Sequence, residues 1–135
     1  MPEAEIEIAK QWIAKADNDL LNADNNLKSA RVPCDTVCFH CQQAAEKVLK
    51  AYLIANQKPY PITHDLFLLL EHILPLDPDA ESLRETLAIL APYAVEIRYP
   101  DDYSMPTEQD AAEARKAAGE VYEWLKSGCS AIFSE

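Results

Sequence analysis

The sequence predicts an all-α fold, an antiparallel up-and-down bundle of four to five helices. Three observations carry this. Apolar residues recur at spacings of three and four along several extended stretches, the period of a helix with one buried face. Glycine occurs only 2 times in 135 residues, while Ala, Leu, Glu and Lys are plentiful. The prolines fall mainly between the periodic stretches, where they end helices. The length suits a single domain over residues 1–135, and an apolar share of 49% supplies a core for it.

The first helix is expected over residues 4–29. Ile6, Ala9, Ile13, Ala16, Leu20, Ala23 and Leu27 form one stripe, with Asp17, Asn18, Asp24 and Asn25 off it and facing water. Val32-Pro33 ends the pattern, because a proline disfavours helical geometry in the residue before it. The second helix is expected over 35–55 with Asp35 as its N-cap. Val37, Cys38, Cys41, Ala44, Ala45, Val48, Leu49, Tyr52 and Leu53 give it the broadest apolar face, so it is placed at the centre. Asn56 to Pro61 reads as a loop. A shorter helix over 64–74, apolar nearly all round, is ended by Pro75. A fourth opens near Ala80, and Pro92 either kinks it or starts a second piece reaching Arg98. The last helix spans about 108–127, behind a capping box in which Thr107 is the cap and Asp110 takes the usual Glu position.

A net charge of −11 opposes non-specific binding to nucleic acid, since such binding gains its affinity from basic residues displacing counterions. No DNA partner is expected, although a local basic cleft stays compatible with the charge. No apolar run approaches the ~20 residues a bilayer span needs, and the acidic start Met1-Pro2-Glu3-Ala4-Glu5 lacks the features of a signal peptide. A soluble, cytoplasmic protein with no membrane partner is expected. The four cysteines, Cys34, Cys38, Cys41 and Cys129, are therefore read as free thiols.

Three constellations are candidates for chemistry. The spacing Cys34-x3-Cys38-x2-Cys41 is one that can hold an iron–sulfur cluster. Here two of the three lie on the inward stripe of a helix, where cysteine behaves as a small hydrophobe, and no second ligand cluster accompanies them. Neither a metal nor another cofactor is expected. His64-Asp65, after Thr63, opens the third helix: Thr63 caps it with Asp65 in the first turn, or the imidazole faces a cleft. His40 and His72 have no comparable polar context and are read as structural or surface residues. The densest polar and aromatic cluster runs over 98–103, Arg98-Tyr99-Pro100-Asp101-Asp102-Tyr103. It is either a helix end with ordinary turn chemistry or an Arg placed to grip a phosphate beside two carboxylates and a phenol.

Cys38-Phe39-His40-Cys41-Gln42-Gln43-Ala44-Ala45-Glu46-Lys47-Val48-Leu49-Lys50-Ala51-Tyr52-Leu53 resembles the central-helix signature of HEPN domains. Thr63-His64-Asp65-Leu66 resembles the motif that opens that family's next helix, and Arg98-Tyr99-Pro100-Asp101 the motif before its last long helix. The three occur in the family's order. The resemblance implies a helical bundle that forms homodimers. It also implies pairing with a small nucleotidyltransferase, as a toxin–antitoxin couple. Many members are metal-independent ribonucleases whose motif is an Arg followed four to six residues later by a His, the two meeting across the dimer cleft. Such a His moves the 2′-hydroxyl proton while the Arg stabilises charge on the phosphorane. Carried over, the Arg is Arg98, and Tyr103 stands where the His would be. A phenol with a pKa of about 10 is a poor base at neutral pH. The resemblance thus makes Arg98 and Tyr103 the catalytic candidates, and His64, Asp65, Arg98, Asp101 and Asp102 the candidate contacts to a nucleotide or RNA.

Overall fold

The computed structural model describes residues 2–95 and 105–134. Helix α1 (Glu3–Leu27) buries Ala9, Ile13, Ala16, Leu20 and Ala23, the stripe the spacing predicts. Helix α2 (Cys34–Ala55) starts one residue before the expected cap. Pro33 precedes it, and Asp35 lies inside the first turn with Oδ1 accepting from the Thr36 amide at 2.8 Å. At its other end Gln57 takes a positive φ of 58°, and the amides of Gln57 and Lys58 return to the carbonyls of Ile54 and Leu53. That closure turns the chain out of α2.

Helix α3 (Leu66–Ile73) is shorter than expected. Asp65 is its N-cap, accepting from the amides of Phe67 and Leu68 at 2.9 and 3.3 Å, so His64 stands outside the helix. The fourth segment, expected to open near Ala80 and to kink or restart at Pro92, is in three pieces. Asp77 caps a 3-10 turn over Pro78–Leu83, α4 occupies Arg84–Leu90, and Pro92 sits in a second 3-10 turn over Ala91–Tyr93. The second break has a local reason: Pro92 has no N–H to return to the preceding turn. Helix α5 (Glu108–Gly128) has the predicted capping box, with Thr107 Oγ1 accepting from the Asp110 amide at 3.0 Å and Asp110 Oδ2 from the Thr107 amide at 2.9 Å. A last 3-10 turn covers Ser130–Phe133.

Side-chain pairs fix the directions. Asp19 of α1 meets His40 and Lys47 of α2, and Trp12 meets Lys50, so α1 and α2 run antiparallel. Asp24 pairs with Arg115, and Asp17 with Tyr122, so α1 and α5 are also antiparallel. Tyr52 stacks near Trp124 at 4.9 Å. Helix α2 is the hub: its apolar side meets α1, α3 and α5, and Leu49 and Leu53 are wholly enclosed. Each such leucine contributes roughly 1.5–3 kcal/mol on burial. All four cysteines are buried, and Cys34, Cys38 and Cys41 are free thiols. No helix among the described residues is long and apolar enough to cross a membrane.

Candidate functional site

Helix α2 carries its polar residues inside the bundle. Gln42, Glu46 and Lys50 are all buried, one turn apart on one side of the helix. Burial of such groups is tolerated only when their partners are in place, and here they are. Gln42 Nε2 donates to the His64 carbonyl at 3.1 Å. Glu46 accepts His64 Nδ1 on one oxygen at 2.8 Å and Lys50 Nζ on the other at 3.0 Å. Lys50 in turn lies 5.6 Å from the ring centres of both Trp12 and Tyr60, which pack edge to face. The first two signature segments therefore meet: the 42–50 stretch of α2 holds the loop that delivers His64. The imidazole is well exposed, 69% of the side chain, although its Nδ1 is tied to a carboxylate that is only 5% exposed. Asp65, read from sequence as a ligand contact, uses Oδ1 to cap α3.

A second cluster of the same composition lies between α1 and α2. Asp19, buried, accepts His40 Nδ1 at 2.8 Å on Oδ1 and Lys47 Nζ on Oδ2. Here the expectation for His40 is corrected: it has a polar context, supplied by a residue 21 positions away. Asp19 adjoins the apolar stripe of α1, being three residues after Ala16 and next to Leu20. A carboxylate at the edge of a buried stripe was the signal that sequence reading passed over. His72 is exposed on α3.

The 98–103 cluster, with Arg98, Asp101, Asp102 and Tyr103, lies outside the described residues. Its flanks are described. Tyr93 packs against the core, and burial pushes this phenol up to about 12. Met105 lines a groove of about 380 Å³ with Asn26, Arg31, Val32, Pro33 and Asp35, where α1 gives way to α2. The thiols here are not reactive groups. Burial pushes Cys38 and Cys41 up to about 12, and Cys34 is raised for the same reason, with Glu108 and Asp35 adding to it. Among the described residues no group of three or more His, Cys, Asp or Glu side chains is arranged to hold a metal ion.

A further groove of about 380 Å³ lies between α1 and α5. Its Arg115 is spent on Asp24, at 2.6 and 3.3 Å, and Asp17 accepts the Tyr122 hydroxyl at 2.6 Å. With Glu123 also on its wall, three carboxylates face one guanidinium, which disfavours an anionic ligand.

Comparison with known proteins gives one match, to a family model. No curated protein and no solved structure matches the chain significantly. The family model of the HEPN domain matches residues 9–128, nearly the whole chain, from the second turn of α1 to the end of α5. Over that span lie the central helix with Gln42, Glu46 and Lys50, the His64-Asp65 cap and the segment bearing Arg98, and the chain belongs to the HEPN domain family.

Proposed function

We propose that this HEPN-domain protein is the toxin-like partner of a small nucleotidyltransferase, acting as a homodimer that binds the phosphates of a nucleotide or RNA through Arg98. The observation that carries the reading is the sequence Arg98-x4-Tyr103 inside a family match that spans almost the whole chain. The guanidinium is a bidentate phosphate ligand. The imidazole that would move the 2′-hydroxyl proton is replaced by Tyr103, and no histidine follows His72. In this reading ribonuclease turnover at that motif is weak or lost, and the Tyr103 hydroxyl is the group placed to receive a nucleotidyl transfer from the partner. Asp101 and Asp102 then act by repelling a bare phosphate unless a cation or Arg98 screens it.

The missing histidine also favours a second reading, a non-catalytic nucleotide-binding or interaction module with the same Arg98 contact. One set of measurements separates the two. The purified protein is tested for cleavage of labelled RNA and for nucleotide binding, each with and without Arg98→Ala. It is then incubated with a small nucleotidyltransferase encoded beside it and ATP, with Tyr103→Phe as control. Mass added at Tyr103 supports the first reading. Saturable binding that falls at least tenfold in Arg98→Ala, with no added mass, supports the second. Robust RNA cleavage that Arg98→Ala leaves untouched overturns both assignments of Arg98.

A further inference from the structure

The chain has 3 histidines, and they differ in how far the ring is exposed and in what holds it. His72 is exposed, and among the described residues nothing is hydrogen-bonded to its ring. His40 gives Nδ1 to Asp19, but only 21% of its side chain is exposed, and the Phe39 ring lies edge to face with it at 5.6 Å. His64 combines the two properties: Nδ1 lies 2.8 Å from Glu46 Oε1, and 69% of the side chain is exposed. The backbone at His64 is fixed as well. Gln42 Nε2 donates to its carbonyl at 3.1 Å, and the next residue, Asp65, caps α3. A ring held in this way is oriented before any reactant arrives. A contact whose only task is to join the loop to α2 needs Nδ1 and could bury the rest of the ring.

The tie to Glu46 decides which ring nitrogen can react. An ionised carboxylate only accepts, and Glu46 accepts from the imidazole on Oε1 and from Lys50 Nζ on Oε2. Nδ1 therefore carries the hydrogen, and Nε2 keeps the free lone pair. Among the described residues Nε2 has no hydrogen-bond partner. Such an imidazole is a nucleophile at neutral pH, which an ammonium or a phenol is not. As Nε2 bonds to an electrophile, positive charge develops on the ring. The Glu46 carboxylate, only 5% exposed, is placed to stabilise that charge. Lys50 offsets the carboxylate beforehand, so the pair does not repel an anionic reagent, although the chain as a whole carries −11. That charge balance suits a phosphoryl donor, an electrophile that is itself an anion.

We infer that His64 is a phosphoryl-acceptor site, with Nε2 the nucleophile and Glu46 the positioning residue that orients the ring and stabilises its charge. The Nε2 lone pair forms the bond to phosphorus while the bond from phosphorus to the leaving group breaks. With a phosphoramidate as donor, ammonia leaves with the electron pair of the P–N bond. The product is phosphohistidine substituted at Nε2, with the ring hydrogen still on Nδ1 against Glu46. Water hydrolyses that bond later, so the site is a reversible charge switch on the loop before α3. The test treats the full-length protein with potassium phosphoramidate at neutral pH. Peptide mass spectrometry in alkali, where the new bond survives, follows each histidine separately, and phosphorus NMR of the intact protein tells Nε2 from Nδ1. His64 gains phosphate on Nε2 about tenfold or more faster than His72 and His40, and loses it in acid, unlike an ester on Tyr103. A merely structural contact predicts the reverse order, because the unheld ring of His72 is open to the reagent. Glu46→Gln keeps an acceptor for Nδ1 and removes the charge; it slows His64 by about fivefold or more and leaves His72 unchanged. A His72 rate equal to or above that of His64, phosphate on Nδ1 of His64, or an unchanged His64 rate in Glu46→Gln overturns the inference. The first two are read on the unsubstituted protein, so they decide whether or not the variant folds.

Discussion

A carboxylate with 5% of its side chain exposed costs several kcal/mol to desolvate, and Glu46 is in that position. Its partners decide whether it is tolerated. Lys50 is itself 8% exposed and has Glu46 as its ion-pair partner, so removing the carboxylate strands a buried ammonium between Trp12 and Tyr60. Glu46→Ala should therefore lower unfolding free energy by about 3–5 kcal/mol in urea, and Glu46→Gln, which keeps an acceptor, by clearly less. A loss below about 1 kcal/mol in the alanine variant would show that the pair is solvated. At this scale the sequence was only partly legible. The run Gln42 to Lys50 stood out through its resemblance, yet nothing in the run says that its charged residues point inward. Asp19 was harder still, because the cations that make its burial tolerable come from a different helix.

Helix ends carry their own tests. The reciprocal bonds between Thr107 and Asp110 satisfy amide groups that the helix cannot. Thr107→Ala should cost about 1 kcal/mol, read as a lower urea midpoint with an unchanged slope. At the end of α2, Gln57 holds a left-handed backbone where glycine is favoured. Gln57→Gly should stabilise the protein by up to about 1 kcal/mol, and a destabilised variant would mean that its side chain makes a contact worth more than the strain. Elements were the most legible level. The stripe of α1, the apolar breadth of α2 and the capping box of α5 are all local patterns, and each was found close to where the spacing put it. The third and fourth helices were not. Asp65 in place of Thr63 as cap moved the start of α3, and the stretch opening near Ala80 begins as a 3-10 turn over Pro78–Leu83, with a second 3-10 turn at Pro92. Several residues there could cap or break a helix, and tertiary packing chose among them.

For the molecule as a whole, buried acids with raised pKa values set an alkaline limit. Burial moves Cys38 and Cys41 from an ordinary value of 9.0 to about 12, and Tyr93 from 10.0 to about 12. Each binds its proton more tightly when folded, so the stability it contributes is fully present below its unfolded value and is lost as pH rises towards the folded one. Unfolding free energy should be level up to about pH 9 on account of these groups and fall above it. Urea titrations at stepped pH check this. Replacing Cys38 and Cys41 together by alanine should flatten the decline, even though the cavities left behind lower stability at neutral pH. A decline that is unchanged in that double variant would assign it to other groups.

The sequence by itself determined the fold class, the order of the principal helices and the family, because all of these follow from periodicity and short motifs within a single segment of chain. It also pointed to Arg98 and Tyr103, as members of a linear motif. Only the tertiary structure decided that His40 is held by Asp19 and His64 by Glu46, each with a lysine on the second oxygen. Those groups come from segments up to 28 residues apart. Their meeting depends on how α1, α2 and the loop before α3 pack, and hydrophobic burial directs that packing without regard to which polar side chains it brings together.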